Sequence, residues 1–184
     1  MQALIDAQAS GIIESGEIKL VISNNPNAYA LERAAKAGIS GMVISKKTLG
    51  SQEAFENAIV AALEENKIDL IVLAGFMSIL SERFTGRYPK RILNVHPSLI
   101  PSFCGAGFYG LKVHEEALKY GVKVTGATVH FVNEIPDGGE IIFQKAVYIE
   151  EGDTPEVLQK RVMVQAEWKI LPAAVEKVSK QLVG

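Results

Sequence analysis

The sequence predicts an α/β fold: a doubly wound, mainly parallel sheet of the Rossmann-like kind with helices on both faces. Three observations carry that expectation. Apolar runs of strand length alternate with segments of helical period along the whole chain. One run, Asp69 to Gly75 (DLIVLAG), is apolar on both faces, as a central parallel strand covered on each side must be. Another, Ile92 to Val95, runs straight into His96 and Pro97, and a proline, lacking an N–H, ends the ladder there.

Ile18 to Ser23 (IKLVIS) reads as a strand, and Ala28 to Ala37 as a helix stopped by Gly38. Gly41 to Ser45 is a short strand. Ser51-Gln52-Glu53 can cap a helix running to about Asn66, with Phe55, Ile59, Ala62 and Leu63 on one face. A short helix is expected over Ser78 to Phe84, and another over about Lys112 to Tyr120. Lys123 to Val132 and Glu140 to Ile149 are adjacent strands, suited to an antiparallel edge. Thr154-Pro155-Glu156 opens a long amphipathic helix reaching roughly Lys180, with Pro172 as the place for a bend. No repeat, linker or low-complexity tract interrupts the pattern, so one domain over residues 1–184 is expected.

The composition narrows the function classes. A chain of 184 residues can bury roughly 70% of its unfolded surface. An apolar fraction of 48% and a charged fraction of 22% are those of a soluble globular protein. A net charge of -2 argues against a nucleic-acid footprint, which needs a basic face. The single cysteine, Cys104, excludes an intrachain disulfide and fits a reducing compartment. With neither a membrane-spanning apolar run nor a signal-peptide pattern, the expected location is cytoplasmic.

The chemistry concentrates at the end of the Ile92 strand. Alternate strand residues share a face, so Asn94 and His96 point the same way, their Cα atoms about 6.6 Å apart. An amide can hold a developing oxyanion, and an imidazole can move a proton near neutral pH. Ligands of doubly wound sheets sit beyond the carboxyl ends of the strands, where this pair lies. A third candidate, Asp137, stands in the polar Asn133-Glu134-Ile135-Pro136-Asp137-Gly138-Gly139 loop, whose glycines let backbone approach a ligand. Taken singly, Asp137 reads as a turn residue, and Asn94 with His96 is equally a hydrogen-bonded strand end. Cys104 has no base beside it in sequence and reads as structural.

Three motifs together resemble the formyltransferase family that uses 10-formyltetrahydrofolate: Ala74-Gly75-Phe76-Met77, Asn94-Val95-His96-Pro97-Ser98-Leu99-Ile100-Pro101, and Thr128-Val129-His130-Phe131-Val132 leading to Asp137-Gly138-Gly139. The resemblance runs from about residue 2 to about residue 176. It implies a catalytic asparagine at Asn94, a histidine at His96 and an aspartate at Asp137. It implies formyl transfer, without metal or covalent intermediate, to the amine of glycinamide ribonucleotide. For the folate it implies Met77, Ile79, Leu80, Leu93, His130, Val132 and Gly138; for the ribonucleotide, Gly75, Pro97 and Glu167. The expected partners are these small molecules, with no nucleic acid and no membrane, and a homodimer is left open. Read without the family, Met77, Ile79 and Leu80 are equally core, Glu167 a solvated helix residue, His130 a satisfied strand residue and His114 helix surface.

Two other family activities share this catalytic pattern. A formyltetrahydrofolate deformylase would hydrolyse the formyl group and carry an added N-terminal domain. A methionyl-tRNA formyltransferase would carry a C-terminal tRNA-binding domain. A third alternative is an inactive folate-binding module. Relative to the family, Gln2-Ala3-Leu4-Ile5-Asp6-Ala7 matches the body of the first helix, so a first strand and the phosphate-cradling loop before it are missing. The expectation is therefore a fold lacking its first strand, with unpaired strand edges and impaired activity unless another segment or subunit fills the gap.

Overall fold

The computed structural model describes residues 1–76 and 78–184; Met77, one of the expected folate contacts, lies outside the described residues. In chain order the elements are α1 (Gln2–Ala9), β1 (Leu20–Ser23), α2 (Tyr29–Lys36), β2 (Ser40–Val43), α3 (Lys46–Leu49), α4 (Gln52–Glu65), β3 (Ile71–Leu73), α5 (Glu82–Arg87), β4 (Ile92–His96), α6 (Leu111–Tyr120), β5 (Val124–Phe131), β6 (Ile141–Tyr148), α7 (Pro155–Val162), a π-helical turn (Met163–Glu167) and α8 (Trp168–Val183).

Local chemistry sets the helix starts. Ser51 caps α4 by accepting the Ala54 N–H, and Thr154 caps α7 by accepting the Val157 N–H, with Pro155 in the first turn. The expected apolar face of α4 is buried: Phe55, Ile59, Ala62 and Leu63 all lie inside. The helix expected from Ser78 instead begins at Glu82. Ser81 accepts the Phe84 N–H as cap and is itself held by the buried Glu56 carboxylate, which takes its N–H at 2.8 Å and its hydroxyl at 2.5 Å. Burial raises the Glu56 carboxyl, but the Ser81 and Gln52 hydrogen bonds lower it by more, so it sits below the ordinary range. The long C-terminal helix is interrupted at Met163–Glu167 rather than at Pro172. Pro172 is the fifth residue of α8, where its missing N–H costs one bond near the start of a new helix.

The strands form two groups. β1 pairs with β2 in parallel; the second group runs β3-β4-β5-β6, with β3 and β4 parallel and β4–β5 and β5–β6 antiparallel. Consecutive β4 residues feed opposite faces. Leu93 enters an apolar cluster with Val129, Leu158, Val162 and Leu171, while Ile92 enters one with Phe55, Ile59, Leu63 and Phe84. Helices α1, α7 and α8 therefore cover one face, and α4 and α5 the other, a doubly wound arrangement. Leu20 and Ile22 of β1 and Ile71 and Leu73 of β3 pack against the same cluster, yet no strand joins them among the described residues. The interruption lies beside the Ile71–Leu73 strand.

Candidate active site

Strand β4 ends at His96, and β5 runs back along it with Asn94 opposite His130 and His96 opposite Thr128. Cross-strand partners share a face, so these four polar side chains converge on the α4 and α5 side of the sheet. Beyond Pro97 the chain folds back over the strand end. Thr128 Oγ1 donates to the Ser98 carbonyl at 2.7 Å and accepts the Ile100 N–H, and Ser98 Oγ donates to the Ser102 carbonyl at 2.5 Å. Those bonds carry Phe103 onto His96: its carbonyl oxygen lies 2.8 Å from His96 Nε2. A carbonyl only accepts, so His96 Nε2 carries a proton in this arrangement.

The loop after β5 supplies the carboxylate. Asp137 adopts φ 55°, a left-handed conformation that aspartate tolerates better than most side chains. Its Oδ2 accepts the Gly105 N–H at 2.8 Å and lies 3.4 Å from His96 Nδ1; its Oδ1 lies 3.5 Å from His130 Nε2. Both imidazole approaches are longer than a strong hydrogen bond. His96 and His130 side chains are only 5% and 2% exposed and Asp137 12%, so little water screens them. Burial raises the Asp137 carboxyl, and contacts with His130, the Gly105 N–H and the His96 ring lower it by more. The aspartate is thus held ionised between two imidazoles. Asn94, His96 and Asp137, separated by up to 43 positions (137 minus 94), come together.

The expected ligand-lining residues divide. Leu93 is fully buried, its side chain packed into the apolar core. Leu80, 7% exposed, is likewise core, whereas Ile79 is 68% exposed. Val132 is half-buried, and Gly138 is exposed at the loop tip. Gly75 is exposed with φ 70°, and Pro97 is half-buried. Glu167 is half-buried in the π-helical turn; burial pushes its carboxyl up to about 7, offset in part by the N-terminal ammonium. His114, read from sequence as helix surface, is fully buried in α6, because the α6 face that carries it with Val113 and Ala117 packs inward. Burial lowers it to about 4.

Sequence reading missed the Phe103 carbonyl and the Gly105 N–H, since backbone groups leave no residue-type signal; the Gly105 and Gly107 spacing was the one available hint. The Cys104 thiol is raised by burial and, second, by the Asp137 charge, which disfavours a reactive thiolate. Among the described residues no group of three or more His, Cys, Asp or Glu is placed to hold a metal ion, and no helix is long and apolar enough to cross a membrane. A cleft of about 270 Å³ lined by Lys90, Arg91, Glu140 and Lys177 opens at the start of β4, away from this cluster.

Comparison with known proteins agrees with the geometry. The Formyl transferase family model matches residues 1–175. The chain is 46% identical over 179 residues to the human trifunctional purine biosynthetic protein adenosine-3, covering 97% of this chain but 17% of that protein. It is 38% identical over 175 residues to the phosphoribosylglycinamide formyltransferase of Escherichia coli, covering 95% of this chain and 79% of that one. The solved glycinamide ribonucleotide transformylase 1 of Symbiobacterium toebii superposes with a TM-score of 0.90 at 39% identity, over 98% of this chain and 82% of that one. An amide, an imidazole and a carboxylate gathered at the end of β4, within a matched domain spanning nearly every residue, place the chain in the formyl transferase family.

Proposed function

We propose that this chain transfers the formyl group of 10-formyltetrahydrofolate to the primary amine of glycinamide ribonucleotide, a step of purine synthesis, in the cytoplasm. The observation that carries the reading is the half-buried carboxylate of Asp137, 3.4 Å from His96 on the face that also presents Asn94. The names of its relatives support the choice of substrates.

The amine nitrogen attacks the formyl carbon, and the carbonyl electron pair moves onto oxygen. Asn94 and His96 donate to that oxyanion, where preorganised donors count most. As the tetrahedral centre collapses, the bond from carbon to folate N10 breaks. The proton lost by the attacking nitrogen passes by way of Asp137 and water to the departing N10, so the charges balance. For His96 to donate from Nε2 it must leave the Phe103 carbonyl, so the loop after Pro97 has to shift when substrate binds. Folate is placed between the exposed Ile79 and the Val132–Gly138 loop, with Gly75, Pro97 and Glu167 on the ribonucleotide side.

A single-turnover assay with both substrates tests the reading. Formylated glycinamide ribonucleotide is expected from the wild-type chain, and Asp137→Asn should slow its formation by roughly 10²–10⁴-fold, the usual worth of general acid–base help. Formate without formylated amine, or bound folate with neither product, would reject it.

A further inference from the structure

His130 is 1% exposed and touches three parts of the site. Its Nδ1 lies 2.8 Å from the Phe131 carbonyl oxygen, and its Nε2 lies 3.3 Å from Asn94 Nδ2 and 3.5 Å from Asp137 Oδ1. Since the carbonyl can only accept, a ring proton sits on Nδ1. A ring with its single proton there offers a lone pair at Nε2, and the Asn94 amide is the donor within reach. One nitrogen cannot accept from Asn94 and donate to Asp137 in the same state; the Asn94 approach is the shorter and the one with hydrogen-bond geometry, and Asp137 then keeps the Gly105 N–H and the His96 ring as its partners. The sheet builds this pairing: Asn94 and His130 stand directly opposite each other across β4 and β5, and the β5–β6 register slips at Val129/His130.

We propose that His130 is a positioning residue: its Nδ1–H tautomer accepts one N–H of the Asn94 carboxamide and so fixes which end of that amide faces the reaction. A carboxamide has nearly the same shape either way round, but its two ends have opposite polarity. Held by His130, the NH2 end lies on the side where the Asp137 carboxylate and both imidazoles converge, and its second N–H remains free for an oxyanion. Turned over, Oδ1 would take that place, an acceptor beside developing negative charge. The catalytic part of this assignment rests on the formyl-transfer reading; the tautomer and the amide orientation do not.

The experiment has two arms. Side-chain 15N NMR of the whole chain should show His130 protonated at Nδ1 alone and a coupling across the hydrogen bond from Asn94 Nδ2 to His130 Nε2. A proton on Nε2 at the assay pH overturns the proposal, whether or not the chain moves formyl groups. In the kinetic arm the variants separate the two ring nitrogens. A glutamine oxygen reaches where Nε2 stands, an asparagine amide reaches only to Nδ1, and leucine supplies neither. His130→Gln should therefore show a kcat about tenfold above that of His130→Asn and His130→Leu. Equal kcat in three variants that unfold at one temperature would overturn the proposal. If the variants do not fold, the NMR result decides it. Absence of formyl transfer by the wild-type chain would reject the reaction while leaving the NMR result to stand or fall alone.

Discussion

Both ring nitrogens of His114 are buried without a hydrogen-bond partner, an arrangement that forfeits their hydration for nothing in return. Its folded pKa of about 4 lies below the ordinary 6.5. The unfolded chain therefore binds the proton first, and this residue's share of stability is complete above pH 6.5 and is lost as pH falls through about 4. Replacing it with leucine removes both the unpaired nitrogens and the titration. His114→Leu should gain roughly 1–3 kcal/mol at pH 7.5 in urea unfolding and flatten the decline in stability between pH 6.5 and 4. An unchanged acid limb would show that another group causes it. The His114 burial was illegible in the sequence. A histidine on an amphipathic helix looks the same on either side until the neighbouring helix, α7, has docked against α6.

At the scale of elements, the turn that ends β5 decides where the carboxylate goes. A Cβ on Gly139 would lie 1.7 Å from the Phe131 carbonyl oxygen and 2.7 Å from its carbon, so backbone rather than a flexible side chain would have to yield. Gly139→Ala should therefore push the Asp137 loop away from His96. It is expected to cost on the order of 1–3 kcal/mol of stability and to lower single-turnover formyl transfer by about tenfold or more in the folded protein. Gly16→Ala is the control: its Cβ would meet Ser179 Oγ at 2.7 Å and Ser179 Cβ at 3.2 Å on α8, and touches no residue of the site. It should destabilise comparably without the rate loss; equal loss of rate in both would refute a specific effect on the loop. The DGG sequence announced a turn, and the alternation in β4 announced the shared face of Asn94 and His96. Neither announced the π-helical turn at Met163–Glu167, because a one-residue slip in a helix leaves the apolar pattern on either side nearly intact.

Across the whole molecule, the exposed question is the pair of strand edges at β1 and β3. Each has one hydrogen-bonded neighbour, and both border one apolar cluster. An edge strand carries a row of N–H and C=O groups open to water or to another strand. In the isolated chain the outward amides of Ile22 and Val72 should exchange with deuterium orders of magnitude faster than those of Val129, which lies in the interior strand β5. Slow exchange at both would mean that a further strand, from this chain or a second subunit, occupies the space between them.

Sequence by itself determined the alternation of strands and helices, the strand that stops at Pro97, the turn bearing Asp137 and the common face of Asn94 and His96. Each is written in neighbours a few positions apart, so periodicity and backbone chemistry suffice to read it. Only the tertiary structure decided that Asp137 lands between His96 and His130, that Leu93 and His114 turn inward, and that the Phe103 carbonyl covers the imidazole. Those outcomes follow from antiparallel pairing of β4 with β5 and from helices docking on a shared core. Both join residues far apart along the chain, and no local pattern records them.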